Sequence, residues 1–257
     1  MARKSKIQPI DAFRDSLSDA HTLMLIATAF PNRRVRRMRT ELRERVGKAV
    51  GLRSQQRSAL DCIQNDRVFL LFIKPDHLSR DHFKDTRPLL RQAIVAACAA
   101  FETYVADKAM DGVGEALRSD PIPKRLRDVP LTLGHWSDIE RKYKRRTWGI
   151  RPVVEEAIRE QSSTAPNKVG NLLGMVNVSG WSNKIDEQRR VRSGETVRQL
   201  EAITHRRNRI AHASDRIGQG RANLTPEYTD DVLKQLTSIA NAIDVVVDRE
   251  AALRGVS

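Results

Sequence analysis

The stretch Pro88–Met110, PLLRQAIVAACAAFETYVADKAM, contains nine consecutive residues, Ala93 to Phe101, without a single polar side chain. Its length and composition predict a helix from Pro88 to about Met110, and a helix apolar all round is one buried on every side. Glu102 follows the apolar run at once, flanked by Phe101 and Tyr104. A carboxylate in such surroundings is costly unless a cation and hydrogen bonds compensate it. That cation must come from elsewhere in the chain.

Outward from this helix the pattern stays helical. Towards the N terminus, Phe13, Leu17, His21, Met24 and Thr28 follow three-and-four spacing and predict a helix from Asp11 to Phe30, ended by Pro31. Between Asn32 and Arg57 stand ten basic residues, among them Arg33, Arg34, Arg36 and Arg37, against Glu41 and Glu44, so the local charge is 10 − 2 = +8. The short run Val68–Ile73 reads as a helix turn, and Asp111-Gly-Val-Gly114 with Pro121, Pro123 and Pro130 as an irregular connector. Ser137-Asp-Ile-Glu140 has the spacing of a capping box, and Arg151-Pro152 that of a helix start with proline in its first turn. Gln161–Gly194, rich in glycine and serine but carrying Leu172, Leu173, Met175 and Trp181, reads as an ordered excursion. Ser193 is the expected N-cap of a helix from about Glu195 to Ala213. Thr225-Pro226-Glu227 opens a last helix with Val232, Leu236, Ile239, Ile243, Val246 and Val247 on one face. No strand alternation of any length appears, so the fold class is all-α. Two units are expected: a basic helical extension over 1–85 and a helical bundle over 86–257.

The whole chain of 257 residues has 46 basic and 32 acidic side chains, a net charge of 46 − 32 = +14, with 40% hydrophobic residues. That apolar share suffices for a core, and a field of this sign favours a polyanionic partner. No uninterrupted apolar run reaches the roughly 18 to 20 residues that span a bilayer, and no leader follows MARKSKIQPI, so a cytoplasmic protein without a membrane partner is expected. Cys62 and Cys98 form no Cys-x-x-Cys pair, which argues against a disulfide framework or a cysteine zinc site. Asp76-His77-x-x-x-Asp81-His82 has ligand-like spacing but a loop context and no further ligand cluster. Gly112-x-Gly114 lacks the third glycine of a dinucleotide loop, and no Walker loop, His-Glu-x-x-His pair or serine elbow occurs. Neither a metal nor a cofactor is expected.

The segment that carries chemistry is His205-Arg206-Arg207-Asn208-Arg209-Ile210-Ala211-His212. On its helix Val197, Leu200, Ile203, Thr204, Ile210 and Ala211 define the inward stripe, and Arg207 falls within it. An inward arginine keeps its proton and must meet a carboxylate or an anionic ligand. Glu102 is the candidate partner. His205, Asn208, Arg209 and His212 lie at i, i+3, i+4 and i+7, a basic rim offering a phosphodiester a general base and charged donors. Arg206 extends that rim. Lys142-Tyr143-Lys144-Arg145-Arg146-Thr147-Trp148 interleaves aromatics with cations, as a single-strand stacking surface does, although Tyr143 and Trp148 serve equally as core anchors.

Arg207-Asn208-x-x-x-His212, together with the apolar helix bearing Glu102, the glycine-containing segment with Trp181 and the terminal apolar helix, resembles the HEPN superfamily in its RiboL-PSP or MAE-type branch, over about Thr86 to Asp248. The resemblance implies a helical bundle that pairs as a homodimer around a composite cleft, and metal-independent endoribonuclease activity of the kind used in toxin, phage-defence or RNA-processing systems. It implies His212 as general acid/base, Arg207 as stabiliser of the phosphorane and Asn208 as an orienting group. Glu102 would position Arg207. The nucleic acid would be RNA, a tRNA or messenger for example, held by His205, Arg206, Arg209, the arginines at 33, 34, 36 and 37, and Lys142, Arg145 and Arg146. Two other readings stay open: a non-catalytic nucleic-acid-binding module, and an effector held silent by an antitoxin or other regulatory protein. On an ideal helix Arg207 and His212 point about 140° apart. Their convergence requires the long arginine side chain, a distorted helix end or a second subunit.

Overall fold

The computed structural model describes residues 7–29, 40–49, 51–53, 85–143, 146–218 and 220–255. Among these the chain is all-α: α1 Pro9–Ala29, α2 Thr40–Ala49, α3 Arg87–Ala116, α4 Lys124–Arg127, α5 Leu133–Lys142, α6 Arg146–Glu160, α7 Pro166–Met175, α8 Trp181–Arg189, α9 Glu195–Ala213 and α10 Pro226–Gly255. The sole strands among the described residues form a two-residue hairpin between α9 and α10, pairing Arg216 with Arg221 and Ile217 with Gly220. The run Val68–Ile73 and the Asp76–His82 pattern lie outside the described residues.

The chain divides into two units, 1–24 with 89–257, and 25–88. In the second, α2 opens with Glu41 and closes with Lys48, charges matched to the helix dipole. In the first, α3 is the axis. Leu90, Ile94, Ala97, Phe101, Tyr104 and Val105 are buried, as are Leu236, Ile239, Ile243 and Val246 of α10. The stripe predicted for α10 is thus the buried one. α3 is long and apolar enough to cross a bilayer by length and composition, yet 61% of its most apolar window is buried inside the protein. It is not buried on every side, because Ala99 is exposed. Tyr104 donates its hydroxyl to the Ala240 carbonyl at 2.9 Å, and burial, with Asp244 and Asp248 adding to it, pushes that phenol well above its usual range. Lys108 reaches Asp244 at 2.6 Å and Asp248 at 2.7 Å. Burial works against its charge, but the hydrogen bonds to the two carboxylates outweigh it and hold the ammonium above the ordinary lysine range.

Several elements begin elsewhere than the sequence predicts. α3 runs through Gly112 and Gly114 to Ala116, where a connector is expected. Gly112 is there for contact, since a Cβ on it would come within 2.7 Å of Val176 Cγ1. α5 starts at Leu133, capped by Thr132 and His135 in a reciprocal box, so Ser137 is mid-helix. α6 starts at Arg146 and carries Pro152 inside it rather than at its first turn. The excursion 161–194 is mostly two helices, α7 and α8. Its end is closed by Asp186, whose Oδ2 accepts from the Gly194 amide at 2.7 Å and whose Oδ1 accepts from the Thr196 amide at 2.9 Å. This buried carboxylate caps α9 in place of Ser193, which bonds Asn183. α9 itself spans the residues expected.

The compact unit also begins earlier than the boundary at residue 86 drawn from the sequence, because α1 contributes Phe13, Leu17 and Ala20 to the same core. Phe13 packs against Tyr104 and Phe101 of α3, ring centroids 5.4 and 6.5 Å away. Phe13→Ala is expected to cost about 3–5 kcal/mol of stability, read as a lowered Tm in a thermal melt. An unchanged Tm would mean that α1 is only appended to the bundle.

Candidate active site on helix α9

The cation that Glu102 requires is Arg207. Its Nη2 lies 3.2 Å from Glu102 Oε2, and its Nη1 donates to Asn208 Oδ1 at 3.0 Å. Glu102 Oε1 also accepts from the Thr164 amide at 3.2 Å, and its main-chain carbonyl accepts from Ser162 Oγ at 2.9 Å. Thr164 and Thr204 share a hydroxyl hydrogen bond of 2.9 Å. The core helix α3, the α6–α7 turn and α9 therefore meet on one carboxylate. The Glu102 side chain is 14% exposed and that of Arg207 is 29% exposed, so the pair sits at the wall of the core. Two of the five guanidinium donors are engaged, and the fork retains a face to solvent for an anion.

His205, Asn208 and His212 are all exposed along the outer side of α9. Leu200 and Ile203 are buried as predicted, whereas Ala211 is exposed, because the inward stripe ends a turn before the helix does. α9 stays regular through Ala213 and turns only at Ser214, with φ of 49°, and Asp215, with φ of 58°. The helix is therefore undistorted at His212, and Arg207 and His212 keep their roughly 140° separation. Two grooves lie away from His212. One of about 590 Å³ is lined by His21, Gln188, Arg189, Lys234, Ser238 and Asn241. Another runs along α9 and α10 past Arg198, Ala202, Tyr228 and Gln235.

Two rim residues are also engaged within the fold. Arg206 and Arg209 turn to Asp215, a fully buried carboxylate that sequence reading passed over. Arg206 Nη2 reaches Asp215 Oδ2 at 2.8 Å, Arg209 Nε reaches Oδ1 at 3.0 Å, and Arg91 Nε from α3 reaches Oδ2 at 3.1 Å. Arg206 also donates to the Asn223 carbonyl and lies 5.5 Å from the centre of the Tyr228 ring. The Asp215 amide closes back on the Arg209 carbonyl, and its own carbonyl accepts from Ala222. These arginines lock the end of α9 to α3 and to the start of α10. Three guanidiniums on one carboxylate leave a surplus of 3 − 1 = +2 beneath the motif. An acidic residue in a left-handed loop after a helix carries no motif; only the unusual density of arginines upstream hinted that a buried carboxylate must exist.

Of the other residues assigned to nucleic acid, Lys142 is exposed at the end of α5 and pairs with Asp138 at 3.0 Å. Arg33, Arg34, Arg36, Arg37 and Arg145 lie outside the described residues, as does the side chain of Arg146.

Two outcomes follow from this geometry. Asp215→Ala leaves three buried or half-buried arginines unpaired and is expected to cost about 3–5 kcal/mol, measured by denaturant unfolding; a cost below about 1 kcal/mol would contradict the clamp. Cys98, one helical turn before Glu102, is fully buried. Burial, with Glu102 adding to it and Arg207 opposing it, pushes its thiol from 9.0 up to about 12. In the folded protein Cys98 is expected to resist iodoacetamide at about pH 8 and to react once unfolded, as read by peptide mass mapping. The sign follows from the raised value: the stability its protonated form contributes is full below pH 9 and is lost as pH rises from 9 towards 12.

Comparison with known proteins bears on the same region. The family model described as RiboL-PSP-HEPN matches residues 69–248, starting before the expected Thr86 and ending at the expected Asp248. No curated protein and no solved structure matches the chain. With α3, α7 to α9, most of α10 and the Arg207-Asn208-x-x-x-His212 motif inside the match, the chain belongs to the RiboL-PSP-HEPN family.

Proposed function

We propose that this protein is an endoribonuclease of the HEPN type that acts as a homodimer. The observation that carries the proposal is Arg207, held by Glu102 and Asn208 at the edge of the core with part of its fork open, on the same helix as an exposed His212. An arginine fixed in advance and facing solvent is a seat for a phosphate that gains negative charge. An exposed imidazole on the same helix supplies proton transfer once a second copy brings it to the arginine.

In the reaction, His212 removes the proton of a ribose 2′-hydroxyl. The 2′ oxygen attacks the adjacent phosphorus, a 2′ O–P bond forms, and the P–O5′ bond breaks through a pentavalent phosphorane that Arg207 stabilises. A second imidazole returns a proton to the leaving 5′ oxygen. The products are a 2′,3′-cyclic phosphate and a 5′-hydroxyl end. One chain offers a single motif histidine, and the regular helix keeps it turned away from Arg207. Pairing two copies supplies both the second imidazole and the cover that keeps water from the open face. The surplus positive charge around Asp215 adds to the pull on the substrate phosphate.

Purified protein is expected to cut a cellular RNA pool in EDTA, leaving cyclic phosphate ends, and His212→Ala to reduce the rate at least about a hundredfold. Equal cutting by both proteins would contradict the assignment. Mixing Arg207→Ala with His212→Ala subunits gives a heterodimer that keeps only one of the two imidazoles the reaction uses. No recovery of activity is expected, whereas recovery towards about half the wild-type rate would mean that a single His212 suffices and would contradict the two-imidazole step.

A further inference from the structure

The corner formed by α5 and α6 carries large aromatic side chains with much of their surface exposed. Ile139 is buried against Gly149, where a Cβ would come within 2.8 Å of Ile139 Cγ1 and 2.9 Å of Tyr143 Cδ2. The Tyr143 ring thus lies against the backbone next to Trp148. Trp136, Ile139 and Tyr143 stand at i, i+3 and i+7, so Trp136 shares that side of α5. Around the anchored Ile139 the aromatics keep solvent-exposed surface: Trp148 is 60% exposed, Trp136 39% and Tyr143 38%. Sequence reading allowed Tyr143 and Trp148 to be core anchors, but their exposure shows that the core does not enclose them.

The sequence of this stretch is net positive. From Trp136 to Arg151 there are six basic residues (Arg141, Lys142, Lys144, Arg145, Arg146, Arg151) and two acidic ones, Asp138 and Glu140, giving 6 − 2 = +4. Arg141, Lys142 and Arg151 are each more than half exposed, and their bonds to Asp138 and Glu155 are surface pairs. Such pairs are weak and yield to a phosphate. Flat exposed rings between solvated cations match a strand whose bases are unpaired and whose backbone is anionic. A duplex hides its base faces and has nothing to stack. An apolar protein partner would instead leave this many cations without counter-charge.

We propose that the α5–α6 corner is a stacking platform for an unpaired polynucleotide strand, with Trp148, Trp136 and Tyr143 taking bases and Arg141, Lys142 and Arg151 taking phosphates. It rests on the ribonuclease reading and deepens it, since it makes the substrate single-stranded and fixes a segment of it away from Arg207 and His212. The platform residues move affinity and KM, not the chemical step.

The test is anisotropy of a labelled 12-nucleotide oligo(U), oligo(dT) and a duplex of equal length on full-length His212→Ala protein, with and without Trp148→Ala, Trp136→Ala and Trp148→Phe. Circular dichroism and a thermal melt verify the fold of each. Trp148→Ala combined with Trp136→Ala is expected to weaken oligo(U) about tenfold or more, Trp148→Phe to restore most of it, and duplex affinity to stay within about twofold. Similar losses with oligo(dT) mean that the platform reads bases and phosphates without the 2′-hydroxyl. Oligo(U) affinity unchanged in the folded alanine variants overturns the platform, also when sedimentation shows that they alter dimerisation, which would make the corner a protein interface. The two readings fail separately. Tryptophan-dependent binding by a wild type that cuts nothing supports the platform and sinks the nuclease, while cutting with the same KM in wild type and alanine variants does the reverse.

Discussion

Everything at this site depends on a largely enclosed carboxylate at the end of nine apolar residues. Glu102 cannot sit in α3 beside Phe101 and Tyr104 without a cation, and the cation it takes is the arginine of the motif helix. The pair is a structural requirement of the core and at the same time the device that fixes a guanidinium facing solvent. Losing either partner strands the other, so the constraint acts on folding and on the site together. Cys98 and Thr164 close the same region, the thiol held neutral by burial and the threonine amide bonding Glu102.

A second fixed point keeps the motif from fraying. The end of a helix is normally its least ordered turn, and His212 lies one residue before the end of α9. Asp215 anchors that end by gathering Arg206, Arg209 and Arg91 and by bonding back into the helix through its amide. The opposite end is held by Asp186, which caps the first amides. α9 is thus tied at its start, middle and end by three carboxylates from outside it, which is how a helix with so many cations stays in one place. The arginines of the helix differ accordingly: those directed at Asp215 tie the helix end down, and the one directed at Glu102 keeps part of its fork towards solvent.

The helical class, the limits of α9 and the buried face of α10 were legible because they rest on periodicity and on proline and glycine punctuation. The Glu102–Arg207 pair was legible for a different reason, the electrostatic cost of each group alone. What escaped notice depends on contacts between distant residues. Asp215 lies in a loop with no pattern to mark it, so Arg206 and Arg209 looked like free rim cations. Asp186 reaches α9 from α8, while Ser193 had the local spacing of a cap. Thr132 with His135 forms a capping box without the usual glutamate or glutamine, which moved the start of α5. Gly112 reads as a breaker until Val176 is seen pressing on it. Phe13 belongs to the same lesson, since only tertiary packing places α1 in the core of the bundle.

The most direct measurement is a double-mutant cycle on stability with Glu102→Gln, Arg207→Gln and the two together, followed by urea unfolding. Each single change is expected to destabilise the protein, and the double change to cost less than the sum of the two, with a coupling of about 1–3 kcal/mol. Additive losses, with coupling near zero, would mean that Arg207 is not held by Glu102 and that the geometry assigned to the site is wrong.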